Sequence, residues 1–529
     1  SLCMALFVFL SNEIYGFSRS VPVIYGMLLL FSVGMTRLLL RGWFLVSSDI
    51  DSRPVLIYGA GEAGFQLQSA LRLTAGYRVV GHIDDDESLW RTVLGDCSVH
   101  GPADVRKLVL RNRCREIFLA IPSSSASQRR EIMARLAPLP VKVRTVPNLV
   151  ELVEVGADLA DLRSISIEDL LGRDPVEPHP ELLGRCVQGR SVMVSGAGGS
   201  IGSELCRQIL MLEPRRLVLL DRSEFALYHI HQELLSLAES IGFEGEVVPV
   251  LCNAGDARRV SRILKGFEVQ TIYHAAAYKH VPIVEDENNL SIAAENNILG
   301  TYNLAQAAVE NSIHSFVMIS TDKAVRPTNV MGATKRFAEI IIQSINASTD
   351  VTRFSMVRFG NVINSSGSVI PLFLDQISQG GPVTVTDKNV MRYFMTIPEA
   401  SSLVLQAGEM SIGGEVFILD MGEQIRIYDL AKKLIHLSGR NYIEAEGQLE
   451  DGIQILEVGL RPGEKMYEEL LISGSEIKTD NPKIFKANES FIQPDHLEPI
   501  LEQMKASISN YDNDGILNIL VENVEGFER

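Results

Sequence analysis

Apolar positions along this chain fall into two kinds of run, one long and unbroken, the other short and punctuated by glycine. The long kind comes first. Residues 2–10 are nearly continuous hydrocarbon, a polar turn Ser11-Asn12-Glu13 follows, and residues 21–40 are apolar except for Ser32, Thr36 and Arg37. A bilayer core asks for about 20 such residues. The pattern therefore predicts membrane-spanning segments within 1–48: a span at 21–40 and the stump of another at 2–10, in a chain already apolar where it opens at Ser1. Arg37 and Arg41 lie on the C-terminal flank, and the positive-inside rule places everything after them in the cytoplasm, at the inner membrane. No small-residue cleavage site follows, which argues against a secretory signal. A buried helical hairpin is the alternative on length grounds.

The short kind begins at Pro54-Val55-Leu56-Ile57-Tyr58, a buried strand that runs into Gly59-Ala60-Gly61-Glu62-Ala63-Gly64 and a helical stretch over 65–73. This is a G-x-G-x-x-G in the strand–turn–helix context that lets a backbone approach a pyrophosphate. A second strand, 79–84, ends in Asp84, and further strands are expected over 116–121 and 141–146. No acid–base constellation appears between 50 and 150, so this first Rossmann-like domain either binds a nucleotide for regulation or keeps its tight turn for packing. Asp174-Pro175-Val176-Glu177-Pro178-His179-Pro180 breaks the pattern within a linker at 151–185. Then the arrangement repeats. Ser191-Val192-Met193-Val194-Ser195 leads into Gly196-Ala197-Gly198-Gly199-Ser200-Ile201-Gly202, a helix over 203–212, and Leu217-Val218-Leu219-Leu220-Asp221. Two such fingerprints predict an α/β protein with two Rossmann-like, doubly wound parallel-sheet domains after the N-terminal apolar segment.

Composition narrows the function classes. In 529 residues, 46% apolar and 22% charged, 49 Lys+Arg stand against 66 Asp+Glu, a formal charge of −17. Such a balance repels phosphate backbones and argues against general nucleic-acid binding, while leaving room for a local basic site for one phosphorylated ligand. The six cysteines are scattered with no C-x-x-C pair, which fits a reducing compartment and neither a disulfide framework nor a zinc ribbon.

The candidate chemistry lies in the second fingerprint domain. Asp221 ends a strand where an acid can bind a ribose 2′-hydroxyl, and Arg222 beside it could instead accept a 2′-phosphate. NAD and NADP both stay open, NAD slightly favoured. Thr271-Ile272-Tyr273-His274 leads into Ala275-Ala276-Ala277-Tyr278-Lys279-His280, whose small residues would admit a nicotinamide end. Phe316-Val317-Met318-Ile319-Ser320 ends at Thr321-Asp322-Lys323. Ligands of doubly wound sheets bind at the C-terminal strand ends, so a hydroxyl, a carboxyl and an amine in succession there form a catalytic candidate. Met331 and Lys335 are spaced i,i+4 and share a helical face.

Together with Arg358-Phe359-Gly360-Asn361-Val362 and Arg461-Pro462-Gly463-Glu464-Lys465, these motifs make residues 186–475 resemble the extended short-chain dehydrogenase/reductases that modify nucleotide sugars. With the apolar N-terminus and first Rossmann-like unit included, the whole chain resembles a membrane-anchored UDP-N-acetylglucosamine 4,6-dehydratase of bacterial polysaccharide biosynthesis. The family's Tyr-x-x-x-Lys is broken here, because Met331 occupies the Tyr position, and a thioether carries no proton; the membrane-bound subgroup shares this departure. The resemblance implies Thr321 bonded to the C4 oxygen of the sugar, Asp322 as general acid, Lys323 as the base at C5, and Lys335 on the nicotinamide ribose. It implies cofactor contacts at Gly196, Gly199, Ser200, Ile201, Gly202, Asp221, Arg222, Asp256, Ala275 and Ala276, with Asp256 touching adenine. On the substrate side it implies Lys279, His280, a phosphate contact at Asn361, and diphosphate clamps at Arg392 and Arg461, Arg392 being equally suited to a surface salt bridge. Asn297 would prop the central strands. For acid and base to work near neutral pH, Asp322 must be protonated and Lys323 neutral, which asks the site to keep the two apart. A UDP-sugar 4-epimerase or a non-catalytic NAD(P)-binding scaffold would share this fold. No metal is called for, a homo-oligomer is expected, and residues 476–529 read as a peripheral tail.

Overall fold

The computed structural model describes residues 20–47, 52–73, 76–145 (except 123, 137 and 140), 180–443 (except 366), 452–470 and 477–528. The apolar stretch 2–10 and the linker from 151 to 179 lie outside these. Residues 21–40, expected to span a bilayer, belong to one helix, α1 (Ser20–Ser47). Its described side chains, from 24 to 40, are nearly all exposed although most are apolar. Among the described residues, however, no helix is long and apolar enough to cross a membrane, so the expected span is not found.

The rest forms two units, residues 1–124 with 139–165 and 437–439, and residues 125–138 with 166–436 and 440–529. In the first, β1 (Arg53–Tyr58), β2 (Tyr77–Ile83), β3 (Val93–Leu94), β4 (Cys97–His100), β5 (Glu116–Leu119) and β6 (Lys142–Thr145) lie in the order β3-β4-β2-β1-β5-β6. All pairs are parallel except β3 with β4. Val55, Ile57 and Phe118 of the sheet pack with Leu67 and Leu71 of α2 (Glu62–Leu73).

The second unit is built on β7 (Ser191–Ser195), β8 (Arg216–Asp221), β9 (Glu246–Leu251), β10 (Thr271–His274), β11 (Ser315–Ile319), β12 (Arg353–Arg358), β14 (Glu415–Leu419), β15 (Ile477–Lys478) and β16 (Ile484–Ala487); a short β13 (Asn361–Val362) lies outside the main sheet. The sheet order is β15-β16-β14-β12-β11-β10-β7-β8-β9. Strands β9 to β14 are parallel, and β16 and β15 add an antiparallel edge. The central strands β7 and β10 are buried at every position, as helices on both faces require. Strand order reverses between β7 and β10, which places the ligand crevice above their C-terminal ends. The described cysteines are all free and buried.

One helix departs from the amphipathic rule. The helix α5 (Val330–Ala347), which follows α3 (Ser200–Met211) and α4 (Gly300–Glu310), is buried on every side from Val330 to Ile345. Such a helix needs cover on the face turned from the sheet. The cover comes from α6 (Pro494–Ser509) and α7 (Asn513–Asn523), whose Leu497, Leu501, Met504, Ile516 and Leu520 share one apolar core with Phe337, Ile341 and Ile345. The expectation of a peripheral tail over 476–529 is therefore corrected, because its apolar stripe closes the core.

Polar ties join the same pieces. Arg358, at the end of β12, meets Glu339 of α5 at 2.5 Å and Glu489, beyond β16, at 2.5 Å. Arg336 of α5 reaches both carboxylates at 3.1 Å. Ser320, next to the Thr321-Asp322-Lys323 run, donates to Glu339 Oε1 at 2.6 Å. All four charged side chains are at most 3% exposed. Burial alone would raise the Glu339 carboxyl, but Arg358 and Arg336 outweigh it and hold it low. Removing one member of a buried ion cluster strands the others in low dielectric and costs about 3–5 kcal/mol. Glu339→Gln is expected to lose that much in denaturant unfolding, whereas Glu457→Gln, on an exposed Lys388–Glu457 pair, should change stability by less than about 1 kcal/mol.

Candidate active site

The glycine turn after β7 is shaped for a backbone ligand. Gly196 adopts φ +71°, and a Cβ on it would lie 2.7 Å from Ala276 N, so no side chain fits between the β7 and β10 ends. A Cβ on Gly202 would strike the carbonyl of Gly196. Gly199 caps α3, and Ser200, Ile201 and Gly202 form its first turn, where peptide N–H groups attract phosphate. Asp221 Oδ2 accepts Gly198 N–H at 2.9 Å and Oδ1 accepts Ser223 N–H at 2.8 Å. The carboxylate is thus fixed at the rim with lone pairs left for a ribose. Arg222 stacks 4.4 Å above the ring of Tyr278.

Gly196, Gly199, Asp221, Arg222 and Tyr278 line a cavity of about 170 Å³ together with Asn253, Ala254, Ala275 and Ala276. Of the expected cofactor contacts, Ser200, Ile201, Gly202 and Lys335 are not among its lining residues, and neither is Asp256. Its side chain caps the helix Ala257–Gly266, accepting Arg259 N–H at 3.1 Å, and the wall it was assigned to is made by Asn253 and Ala254. Sequence reasoning passed over Asn253, although it stands just beyond β9, where strand-end residues face ligand. Asn297 props the structure as expected: its amide accepts from Tyr278 N at 2.8 Å and donates to Tyr278 O at 3.0 Å and to Thr334 Oγ1 at 3.1 Å.

The Thr321-Asp322-Lys323 run stands at the C-terminal end of β11, as the strand pattern predicts. Thr321 caps a single 3₁₀ turn, Asp322–Ala324, and its hydroxyl donates to Asp322 Oδ1 at 2.9 Å. Lys323 Nζ donates to Asp322 Oδ1 at 3.0 Å and Asn361 Oδ1 at 3.0 Å, and lies 3.4 Å from Glu468 Oε1. Asp322 is 1% exposed, and its other oxygen, Oδ2, is buried with no hydrogen-bond partner. An unpaired buried carboxylate oxygen is costly, and a ligand hydroxyl would relieve it. Burial raises the Asp322 carboxyl against the pull of Lys323, with Glu468 pushing the same way as burial. For Lys323, burial would lower the ammonium, but Asp322 and Glu468 outweigh it and hold it above its ordinary value. The expectation that the site keeps acid and base apart is therefore corrected. Adjacent in sequence at one strand end, they form an ion pair, and only Asp322 is shifted in the direction its role needs.

Met331 is buried within the apolar core. Lys335, one turn on, donates to Ile319 O at 2.7 Å, and burial lowers it to about 8 against the opposing charge of Glu339. Asn361 faces Lys323 and not open space, so in this arrangement it orients the amine instead of awaiting a phosphate. Arg392 is 7% exposed and bound to Glu464 Oε1 at 2.9 Å, with Glu468 at 3.6 Å. It is neither a surface salt bridge nor a free clamp, since two carboxylates already hold it. Arg461 is exposed, as are Lys279 and His280 on the loop after β10. Glu468 is the site residue that sequence reasoning missed. It is one of two adjacent acids, Glu468-Glu469, and nothing local says which of them turns inward.

Residues 192–489 match the family described as polysaccharide biosynthesis protein. The chain belongs to this family of nucleotide-sugar dehydratases and epimerases, on a Rossmann-like α/β fold with parallel sheets. Residues 1–147 match a family described as a CoA-binding domain. The capsular polysaccharide biosynthesis protein CapD of Staphylococcus aureus is 42% identical over 501 residues, covering 93% of this chain and 81% of CapD. Two enzymes resemble about half of this chain to a similar degree. A UDP-glucose 4-epimerase of Rickettsia massiliae is 31% identical over 55% of this chain and 80% of its own. A UDP-N-acetylglucosamine 4,6-dehydratase (inverting) of Campylobacter jejuni is 30% identical over 54% of this chain and 78% of its own. Among solved structures, the X-ray structure of Pen from Bacillus thuringiensis superposes with a TM-score of 0.50 at 30% identity, over 60% of this chain and 99% of that one.

The buried Lys335 makes a pH prediction. Its ammonium is displaced from an ordinary value of about 10.4 to about 8 in the folded chain. Below about pH 8 it is charged in both states and the whole penalty is present; between about 8 and 10 the folded chain sheds the proton first, so stability rises with pH. Lys335→Met should therefore be the more stable protein at pH 7, by on the order of 3 kcal/mol. That gap should shrink toward zero by about pH 10 in paired unfolding curves, and a gap that does not change with pH would contradict the assignment.

Proposed function

We propose that this enzyme removes water from UDP-N-acetylglucosamine, giving the 4-keto-6-deoxy sugar nucleotide for polysaccharide biosynthesis. The observation that carries the reading is the buried Thr321–Asp322–Lys323 arrangement, with one Asp322 oxygen unpartnered. A dehydratase needs an acid and a base within reach of one sugar carbon chain; an epimerase does not. The likeness to a UDP-glucose 4-epimerase keeps that second reading in play, but Met331 offers no proton-carrying group at the position that oxidation and reduction at C4 would use.

The Gly196–Gly202 turn, Asp221 and the cavity beyond them fit a nicotinamide dinucleotide, held by the first turn of α3 at its phosphates and by Asp221 at its ribose. When bound, that group supplies hydride chemistry, taking hydride from C4 and returning it to C6. The chain's own residues handle the protons. Thr321 bonds the C4 oxygen, and its hydroxyl already donates to Asp322 Oδ1, so the C4 hydroxyl proton can pass through Thr321 to the Asp322 carboxylate. Asp322 is then the acid that the departing C6 hydroxyl requires, and its buried position favours the protonated form. Lys323 removes the C5 proton, made acidic by the C4 ketone. Lys335 holds the nicotinamide ribose, and Arg461 meets the diphosphate. The fixed Asp221 carboxylate would repel a 2′-phosphate, which favours NAD over NADP.

Incubated with UDP-N-acetylglucosamine, the protein is expected to yield a product lighter by one water, and acid denaturation should release NAD. Lys323→Ala should lower the rate by about 10²–10⁴-fold while sugar-nucleotide binding persists. An isomer of unchanged mass would establish the epimerase instead.

The same reading places the enzyme at the cytoplasmic face of the membrane as a homo-oligomer. Support for the attachment is the exposed apolar surface of α1, with Leu30 at 76% and Phe31 at 67%, which water does not favour. A chain lacking residues 1–47 should leave the membrane fraction on sedimentation; one that still pellets with membranes would refute the attachment.

A further inference from the structure

The proton bookkeeping of this site has one gap, and a residue outside every motif stands beside it. In the resting arrangement Lys323 is an ammonium shared by Asp322 Oδ1 at 3.0 Å, Asn361 Oδ1 at 3.0 Å and Glu468 Oε1 at 3.4 Å. Once Asp322 has taken the C4 hydroxyl proton it can accept nothing more. Lys323 must still lose a proton before its nitrogen can attack C5–H. Asn361 presents an amide oxygen, which does not hold a proton near neutral pH. Of the groups within reach of Nζ, only Glu468 is a free carboxylate.

We infer that Glu468 is a positioning residue for Lys323, receiving its proton during dehydration and returning it afterwards. This rests on Lys323 being the C5 base. The structure supports it in three ways. Glu468 is buried, with its side chain 4% exposed. Arg392 Nε lies 3.6 Å from the same oxygen, Oε1, and is itself held by Glu464 at 2.9 Å. The backbone is pinned too, because Gln424 Nε2 donates to Glu468 O at 2.9 Å. A carboxylate so fixed cannot swing to solvent to be titrated there.

The protons then balance within the protein. The site starts as Asp322 carboxylate, Lys323 ammonium and Glu468 carboxylate. The C4 hydroxyl proton moves to Asp322, and one ammonium proton moves from Nζ to Glu468, leaving a neutral amine whose lone pair turns to the sugar by rotation about Cε–Nζ. The amine takes the C5 proton, while Asp322 gives its proton to the C6 hydroxyl and the C6–O bond breaks, releasing water. Lys323 returns a proton to C5 as hydride reaches C6, and Glu468 hands its proton back to the amine. Every group ends as it began, and the only proton lost to the substrate's C4 leaves in the water.

The test is made on the whole chain with Glu468→Gln, Glu468→Asp and, as controls, Lys323→Ala and Asp322→Asn. Three quantities are followed: sugar-nucleotide binding, reduced nicotinamide absorbance as a report of C4 oxidation, and exchange of the C5 proton with heavy water. Glu468→Gln is expected to bind and oxidise as the wild type does, leaving KM nearly unchanged, while kcat and C5 exchange fall about 10²-fold. Its remaining rate should climb with pH, because Lys323 must now surrender its proton to solvent, whereas the wild type stays flat over the same range. The charged groups around Nζ are Asp322, Glu468 and Arg392, the last beside the same Glu468 oxygen, and Glu468→Gln alters only the second. Glu468→Asp, which retains a carboxylate set back by one methylene, should show an intermediate loss and a flat profile. Undiminished exchange in Glu468→Gln, with Lys323→Ala inactive, overturns this inference alone. Exchange that survives in Lys323→Ala overturns the reading of the base itself. Should the Gln variant fail to fold, the Asp variant decides: an intermediate loss sustains the inference and a wild-type exchange rate ends it.

Discussion

The buried ion cluster of Arg336, Glu339, Arg358 and Glu489 is the constraint on which the active half of this protein depends. Two guanidinium groups and two carboxylates, removed from water, are stable only while all four stay in register. The register they impose is between a helix, a strand end and the C-terminal segment: α5 supplies Arg336 and Glu339, β12 supplies Arg358, and the stretch beyond β16 supplies Glu489. Ser320 hangs from the same Glu339 carboxylate, so the peptide that carries Thr321 and Asp322 is fixed from behind. A reacting constellation tolerates little displacement, and here its seat is tied to three distant parts of the chain by charge and not by apolar contact alone.

In front of that seat the balance of charge is deliberately short by one. Asp322, Glu468 and Glu464 set three carboxylates against the two cations Lys323 and Arg392, with Asp322 and Glu468 the most deeply buried. Burial makes an extra negative charge expensive, so the cluster favours uptake of a proton, the one that under the proposed mechanism Asp322 receives from the C4 hydroxyl. Asp322 is the member that feels burial most and carries an unpaired oxygen. Met331 on α5 has no proton to give, and the mechanism proposed above routes the protons along the β11 end and the neighbouring loop instead.

The two units meet the same local problem in the same way. In the first, Asp84 after β2 accepts Ala60 N–H at 2.7 Å and Asp86 N–H at 2.9 Å; in the second, Asp221 at the end of β8 accepts Gly198 N–H at 2.9 Å and Ser223 N–H at 2.8 Å. One carboxylate bridges the glycine turn and the strand after it, which holds the turn open without a ligand. What separates the units is everything beyond the turn. The second unit places a hydroxyl, a carboxyl and an amine, Thr321-Asp322-Lys323, at the end of β11.

How much of this was legible follows from the range over which each feature is set. Strand–turn–helix fingerprints, the glycines at 196 and 202, the acid at Asp221 and the catalytic run at 321–323 are local: a period of two or 3.6 and a turn that admits no Cβ leave their mark within about a dozen residues. The sequence by itself therefore determined the two largely parallel sheets, the crevice and the place of the Thr321-Asp322-Lys323 run at a strand end. It did not determine the partners of buried charges. Whether Glu468 or Glu469 turns inward, that Arg392 is spent on carboxylates and that Asn361 meets an amine all depend on segments tens to more than a hundred residues away. Residues 494–523 show the same limit, since their apolar stripe was readable but the helix it covers was not. Burial and electrostatics are sums over neighbours in space, and only the folded chain decides who those neighbours are.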